Sequence, residues 1–192
     1  MSGPQIRSDQ LRALLDSVDF EQVYSGLELV DVLADDIDEL ERLLNIQKVS
    51  SEAELKNVLG VKHHPQYVHL WLLCKYAELG SEWAKCTLEV VLCDVEMSFL
   101  PENIIHLTQL QKLRIEACDL EDVPEGFEDL SDLCVLSITE CKLTEFSWVE
   151  GLHRLQILNL SDNQITNIPA GLGQCVDLQR LDLRGNQLAY SS

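Results

Sequence analysis

Histidine and cysteine are the side chains in this chain best suited to chemistry, and their spacing decides what site they could form. His63, His64 and His69 could bind zinc, but they lack the i, i+4 spacing of a helical metal site and no cysteine pair accompanies them. No Ser-His-Asp or Cys-His pairing that would serve a nucleophilic enzyme stands out. We therefore expect a protein that is not an enzyme and that holds no metal and no cofactor.

Acidic and glycine-rich segments give no ligand site either. The stretch ADDIDELE at 34–41 is acidic enough to suggest calcium. However, the EF-hand spacing is absent, and Ile37 and Leu40 place the stretch on an amphipathic helix. Favourable charge near a helix start explains it better. Gly171 and Gly173 follow no strand of a βαβ unit, so they do not form a phosphate loop.

The balance of charge limits the partners. The chain has 192 residues, of which 46% are hydrophobic, and 14 basic against 33 acidic residues give a net charge of −19. Such a chain repels phosphate backbones and anionic lipids, which argues against nucleic acid and membrane partners. A protein partner with a basic patch would be attracted. The apolar run at 67–77 is too short to span a bilayer.

Cysteine usage and the N-terminal sequence indicate the compartment. The seven cysteines are odd in number and scattered, unlike a disulfide framework. The N-terminal sequence also lacks the positive segment followed by an apolar segment that marks a secretory signal. A reducing cytoplasm is the predicted location.

The elements that must position any site are repeated along the second half of the chain. Residues 113–133, 136–155 and 158–178 align with one another at a step of 22 or 23 residues, and a half copy follows at 181–188. A degenerate earlier copy occupies 90–110. Neither a helix nor a simple strand fits the apolar spacing of one whole copy. Paired apolar anchors recur at the same step: Val90/Leu92, Leu113/Ile115, Leu136/Ile138, Leu158/Leu160 and Leu181/Leu183.

This period, together with the spacing L-x-x-L-x-L-x-x-N/C-x-L, resembles the intracellular class of leucine-rich repeats with 22–23 residues. The resemblance implies an α/β fold. The expected architecture is a short leucine-rich-repeat solenoid, with a parallel β-sheet on its concave face and an α-helical N-terminal cap or domain. The resemblance also implies recognition of other proteins through the strand-lined face.

We expect two domains, 1–87 and 88–192. The first has apolar residues three and four apart, which is typical of amphipathic helices, and it is expected to cover the N-terminal end of the repeat stack. Its predicted helices are 8–18, 26–46, 51–60 and 64–80, with a last turn within 81–87. The second domain holds about four and a half repeats: 88–110, 111–133, 134–155, 156–178 and 179–192.

One position in each repeat is expected to be polar and internal. It holds Cys118, Cys141, Asn163 and Asn186; asparagine there can bond the adjacent backbone, and cysteine is a small buried substitute. Cys118 and the following aspartate look like part of the motif of some bacterial ubiquitin ligases that carry such repeats. This chain lacks the separate catalytic domain of those enzymes, so a structural role is predicted. In the third repeat Ser147 replaces a proline, and a more irregular return segment is expected.

The candidate partner-binding residues are the side chains that flank the inward anchors, because neighbours on a strand point to opposite faces. A surface that is merely solvated is the alternative interpretation. The candidates are Lys112, Arg114, Glu116, Ser137, Thr139, Asn159, Ser161, Arg180, Asp182 and Arg184.

The sequence thus predicts a non-catalytic protein–protein interaction module, acting as an adaptor, scaffold or regulator through its concave strand face. The alternative is a self-assembling structural unit, or a truncated part of a larger protein of this class, that uses an open C-terminal edge at 181–183 to form homo-oligomers. Carboxylates also crowd the second repeat between Glu116 and Asp132. They could steer a basic partner, and solubility alone would explain the same charge.

Overall fold

The computed structural model describes residues 8–17, 20–44, 48–59 and 65–189. The chain divides into two compact units between Ala84 and Lys85. The first unit is helical and the second contains the repeats. The predicted domain limit after residue 87 and the predicted capping of the repeat stack by the helices stay predictions.

Helices in the first unit pack around leucine side chains. Leu11, Leu27, Leu40 and Leu72 are fully buried, and burying apolar side chains of this size is the main source of stability. The helices are α1 (Ser8–Leu15), α2 (Phe20–Leu33), α3 (Ile37–Leu44), α4 (Glu52–Leu59), α5 (Pro65–Glu78) and α6 (Glu82–Lys85).

The prediction of one helix over 26–46 is wrong, because two helices share this region. Helix α2 ends at Leu33 and α3 begins at Ile37. The Asp36 carboxylate accepts a hydrogen bond of 2.8 Å from the Glu39 N–H, which satisfies one of the free N–H groups at the start of α3. The acidic stretch therefore contains a helix start, and this helix start interrupts the predicted helix.

Two buried ionic groups connect helices within this unit. Glu41 is 7% exposed and accepts hydrogen bonds from the Tyr76 hydroxyl at 3.2 Å and the Val49 N–H at 2.7 Å. Lys75 is 3% exposed and donates to the Asp31 carboxylate at 2.8 Å. Buried charges are tolerated only with such partners, so these contacts fix how α2, α3 and α5 pack.

The second unit contains a parallel five-stranded sheet to which each repeat supplies one strand. The strands lie side by side in chain order. Their register aligns Val90, Leu113, Leu136, Leu158 and Leu181 across the sheet, which confirms the predicted leucine-rich-repeat solenoid. The strands are β1 (Glu89–Cys93), β2 (Lys112–Glu116), β3 (Val135–Thr139), β4 (Ile157–Asn159) and β5 (Arg180–Asp182).

The turn after each strand has a left-handed residue at the same position of the repeat. The Ala117 N–H bonds the Thr139 carbonyl at 3.1 Å, and the corresponding N–H groups do the same elsewhere, so the turns continue the ladder between repeats. Only glycine adopts this conformation without strain, so four repeats accept a local cost for that continuity. The residues are Asp94, Ala117, Glu140, Asp162 and Gly185.

Asn163 links neighbouring repeats inside the stack. Its Nδ2 donates to the carbonyls of Ile138 at 2.8 Å and Leu160 at 3.2 Å, and its Oδ1 accepts from the Leu143 N–H at 3.1 Å. Asn186 makes the same pattern of bonds one repeat further on. Each asparagine therefore ties its own turn to the preceding repeat by using both its donor and its acceptor.

Cysteine takes this position in two earlier repeats. The Cys141 thiol donates to the Thr139 carbonyl at 3.2 Å, and the Cys118 thiol donates to the Glu116 carbonyl at 3.4 Å. Burial raises the pKa of Cys141 to about 11, so this thiol stays protonated near neutral pH. Both of these thiol bonds stay within the cysteine's own repeat, whereas each asparagine also bonds the preceding repeat.

Short 3₁₀ helices carry the chain back from each strand to the next. They form what we call the return side, together with the turns before them. The third repeat keeps a 3₁₀ helix as long as those of the first and fourth repeats, and Phe146, Trp148 and Val149 are buried there. The backbone entering this helix differs, because Phe146 has φ −153° and ψ 44° where Pro101 and Pro169 are extended, as expected for a more irregular return segment. The 3₁₀ helices are Glu102–His106, Phe127–Asp129, Ser147–Gly151 and Ala170–Gln174.

The third repeat is one residue shorter than its neighbours. Its strand register runs from Leu136 to Leu158, whereas the repeats on either side run from Leu113 to Leu136 and from Leu158 to Leu181. The sheet stays in register, so the missing residue falls outside the strands, in the segment that precedes Val149.

We predict that Asn163→Ala lowers the free energy of unfolding by about 2–4 kcal/mol, because it leaves buried backbone donors and acceptors without partners. Urea denaturation followed by circular dichroism measures this change. Asn167→Ala is the control, since Asn167 is exposed and bonds only the neighbouring Thr166 hydroxyl. The control should change stability by less than about 0.5 kcal/mol. Equal losses in the two variants would contradict the role given to Asn163.

Candidate protein-binding surface

The outward side chains of the five strands form one continuous surface, which we call the strand face. The exposure pattern alternates along each of the first three strands, as the anchors predict. Val91, Arg114, Ser137, Asn159 and Asp182 lie in register as the central row of this face. Neighbouring strands are about 4.8 Å apart, so the row is about 19 Å long.

The charge of the strand face differs from that of the whole chain. The strand face and the adjoining Arg184 include four basic and three acidic side chains, a net charge of +1 against −19 for the chain. The acidic excess therefore lies elsewhere on the protein. The seven are Glu89, Lys112, Arg114, Glu116, Arg180, Asp182 and Arg184.

The candidates on β2 are the most available for contact. Lys112, Arg114 and Glu116 are exposed, and none of these side chains forms a hydrogen bond or ion pair with another described residue. Ser137 and Thr139 on β3 are half-buried. A partner could therefore engage the β2 side chains without first breaking bonds within the protein.

Two candidates near the C-terminal end also hold the turns that follow their strands. Asn159 accepts a hydrogen bond from the Ser161 N–H, and Asp182 accepts one from the Arg184 N–H, each at 3.1 Å. The Arg184 guanidinium also bonds both Asp182 oxygens, and this contact lowers the pKa of Asp182. Substituting Asn159 or Asp182 would therefore disturb a turn as well as the surface.

Ser161 differs from the other candidates because it is buried, with 8% of its surface exposed. Strand β4 ends at Asn159, so the alternation of strand side chains does not extend to Ser161. Its place in the turn leaves it little surface for a partner. Arg180 is exposed on β5, and Arg184 is exposed just beyond that strand.

The residues considered for chemistry are placed where they serve structure. Burial raises the pKa of Cys118, Cys141 and Cys175, so their thiols are poor nucleophiles. His69 lies on α5, with its Nε2 3.9 Å from a Glu52 carboxylate oxygen. The other two histidines considered for zinc, at 63 and 64, lie outside the described residues. Within the described ranges, no helix combines the length and apolar character needed to cross a bilayer.

The exposed Cys86 should react with iodoacetamide at pH 8 about tenfold or more faster than Cys141, because only a thiolate attacks and burial keeps Cys141 protonated. Mass spectrometry of timed samples measures each site. In concentrated urea the two cysteines should be labelled at similar rates. Fast labelling of Cys141 in the folded protein would show that its thiol is activated.

The repeats described above also account for the similarity of this chain to a known protein family. The leucine-rich repeat family matches residues 146–188, which include the two asparagine positions and strands β4 and β5. Together with the register of the five strands, this match shows that the second half of the chain carries leucine-rich repeats. Among curated proteins similar to this chain, a leucine-rich repeat-containing protein of Schizosaccharomyces pombe is 29% identical over 57% of the chain. The volume-regulated anion channel subunit LRRC8A of Rattus norvegicus is 31% identical over 45% of the chain.

Solved structures of bacterial proteins share the fold. Internalin C2 of Listeria monocytogenes has a TM-score of 0.53 and 21% identity, covering 62% of this chain and 49% of that one. A leucine-rich-repeat protein of Leptospira interrogans has a TM-score of 0.59 and 22% identity, covering 81% and 41%. The matched segments make up only 18% and 11% of the yeast and rat relatives.

Proposed function

We propose that this chain is a non-catalytic protein–protein interaction module that binds a protein partner through the strand face and acts as an adaptor, scaffold or regulator. The observation that supports this most directly is the register of five parallel strands, which exposes one ordered array of polar side chains. Leucine-rich-repeat proteins generally bind other proteins, and solenoids use such extended faces for that purpose.

The proposed mechanism is recognition by a surface that exists before the partner arrives. The hydrogen bonds between the parallel strands and those of Asn163 keep the backbone of the strand face ordered before binding. Little conformational entropy is therefore lost when a partner binds. Lys112, Arg114 and Glu116 would supply charge-assisted contacts, and Val91, which is 49% exposed, would supply an apolar contact beside them. A partner surface of mixed charge fits this array better than a uniformly basic one.

A reducing compartment such as the cytoplasm is the proposed place of action. None of the seven cysteines forms a disulfide, and an oxidising compartment would favour disulfide formation. Cys86 is exposed, so its thiol is accessible to oxidation.

A variant of the strand face tests the proposed function. Lys112→Ala/Arg114→Ala/Thr139→Ala should weaken binding of the captured partner about tenfold or more, since it removes three side chains from the centre of the face. The variant and the wild type are used as bait in a lysate of the source cells, and the affinity of a recovered partner is then measured with purified proteins.

A matched control removes the same residue types from outside the strand face. Lys142→Ala/Thr144→Ala/Arg154→Ala changes exposed residues, two of which form surface ion pairs with Asp119 and Asp132. Such pairs contribute little to stability, and partner binding should be unchanged. If the strand-face variant retained every partner that the wild type binds, this surface would not be the binding site.

Self-association through β5 is the second candidate function, because one leucine is unusually exposed. Leu181 is 41% exposed, whereas the aligned Leu113, Leu136 and Leu158 are fully buried. An apolar side chain beside an unpaired strand edge can pair with a second copy.

Light scattering at high protein concentration tests this candidate. We expect the wild type to form dimers or larger species and Leu181→Lys to be monomeric, because a charge opposes edge pairing. Val176→Lys is the control, since Val176 is more exposed still and lies outside the strand. A monomeric wild type would rule self-association out.

A further inference from the structure

Side chains of the strand face lie in rows that cross the sheet, and one row has a cation on each side of two apolar residues. The strand register places Lys112, Val135, Ile157 and Arg180 next to one another in this row. We call it the cation row. Lys112 and Arg180 are exposed, whereas Val135 and Ile157 between them are half-buried. The row therefore has an apolar floor between two exposed cations.

The two cations of this row are available to a ligand. Neither Lys112 nor Arg180 has a side-chain hydrogen bond or ion pair with another described residue. By contrast, the Arg184 guanidinium bonds both oxygens of Asp182. Glu89 continues the row on the far side of Lys112 from Arg180 and forms no ion pair with that lysine. Two cations without counter-charges attract an anionic ligand.

The central row of the strand face supplies neutral hydrogen-bonding groups beside the cation row. Ser137 and Asn159 are half-buried there, two residues further along their strands than Val135 and Ile157. The Asn159 side chain uses its Oδ1 to accept the Ser161 N–H, and its Nδ2 donates to no described residue. This amide can therefore donate to a backbone carbonyl of a peptide that lies along the cation row.

The distance between the two cations determines which residues of a peptide can reach them. Three strand intervals separate Lys112 from Arg180, about 14 Å at roughly 4.8 Å each. An extended peptide advances about 3.4 Å per residue, and its residues i, i+2 and i+4 point to the same side. Residues i and i+4 are therefore about 14 Å apart as well, and residue i+2 lies above Val135 and Ile157.

We propose that the cation row binds an extended segment of the partner protein with the pattern acidic-x-apolar-x-acidic, where x is any residue. The two carboxylates pair with Lys112 and Arg180, and the apolar side chain covers Val135 and Ile157. This inference rests on the proposed function, because it names the partner chemistry for one part of the strand face. A basic segment is repelled by both cations.

The test titrates the full chain with the acetylated and amidated peptide Thr-Glu-Thr-Leu-Thr-Glu-Thr. Physiological ionic strength is used, because it largely screens the carboxylates outside the strand face. NMR chemical shifts measure the affinity and identify the residues contacted, even when binding is weak. The control peptide Thr-Glu-Glu-Leu-Thr-Thr-Thr has the same composition with both carboxylates on one side of the leucine. It should bind about fivefold more weakly, since it cannot reach both cations.

Variants of the chain test each contact. Lys112→Gln/Arg180→Gln should weaken binding of the first peptide about tenfold or more. Ile157→Thr keeps the branched side chain but not its apolar end, and it should weaken binding about threefold. Lys142→Gln/Arg154→Gln removes two exposed cations outside the strand face and should change the affinity less than about twofold. Thermal melts check that each variant keeps its fold.

Three results would overturn the inference. The first is an absence of peptide-induced shifts on the strand face. The second is equal binding of the two peptides, which would mean that only composition matters. The third is equal weakening by the two double variants, which would mean that only total charge matters.

The failure of this inference is distinguishable from a failure of the proposed function. If the peptide does not bind but Lys112→Ala/Arg114→Ala/Thr139→Ala loses the captured partner, only the predicted segment is wrong. If that triple variant retains every partner, the proposed function is wrong as well.

Discussion

The strand register is the constraint on which the rest of this protein depends. A single repeat cannot bury its own apolar residues, because each face of the strand and turn needs a neighbour to cover it. Leu113, Leu136 and Leu158 are fully buried only because they align with one another across the sheet. Burying a leucine contributes roughly 1.5–3 kcal/mol, and a one-residue slip would turn these side chains to the opposite face. The left-handed turns and the internal asparagines maintain the same alignment.

The strand face and the return side of the repeats differ in charge. The strand face is nearly neutral and is held by backbone hydrogen bonds, whereas the return side carries carboxylates that lack cations among the described residues. A steering field acts over about one Debye length, roughly 8 Å at physiological salt. The two surfaces therefore differ in electrostatic potential.

The sequence predicts the repeats well because each structural position of the repeat occurs several times along the chain. Leu113, Leu136 and Leu158 support one another at a fixed step, and Asn163 is recognised by its place in that pattern. The helix over 26–46 was predicted less well, because Asp36 and Glu39 have the spacing of a helix start but lie inside a longer stretch with helical apolar spacing. A single helix start of this kind leaves no periodic signal.

The candidate sites show the same limit. In the sequence, Ser161 is at a position where the alternation of strand side chains would expose it. In the structure the strand ends at Asn159, and the turn that follows buries the serine. Nothing in the sequence shows that the indole N–H of Trp148 has no acceptor among the described residues.

The shorter third repeat has a consequence for how the outer wall of such a solenoid can vary. Its strands remain in register with both neighbours, so one residue fewer must span the same distance between them. The difference in length is taken up in the connection beside Ser147 and Trp148, between two repeats whose connections are one residue longer. A change in chain length alone can thus alter the outer wall of the solenoid and leave the sheet untouched.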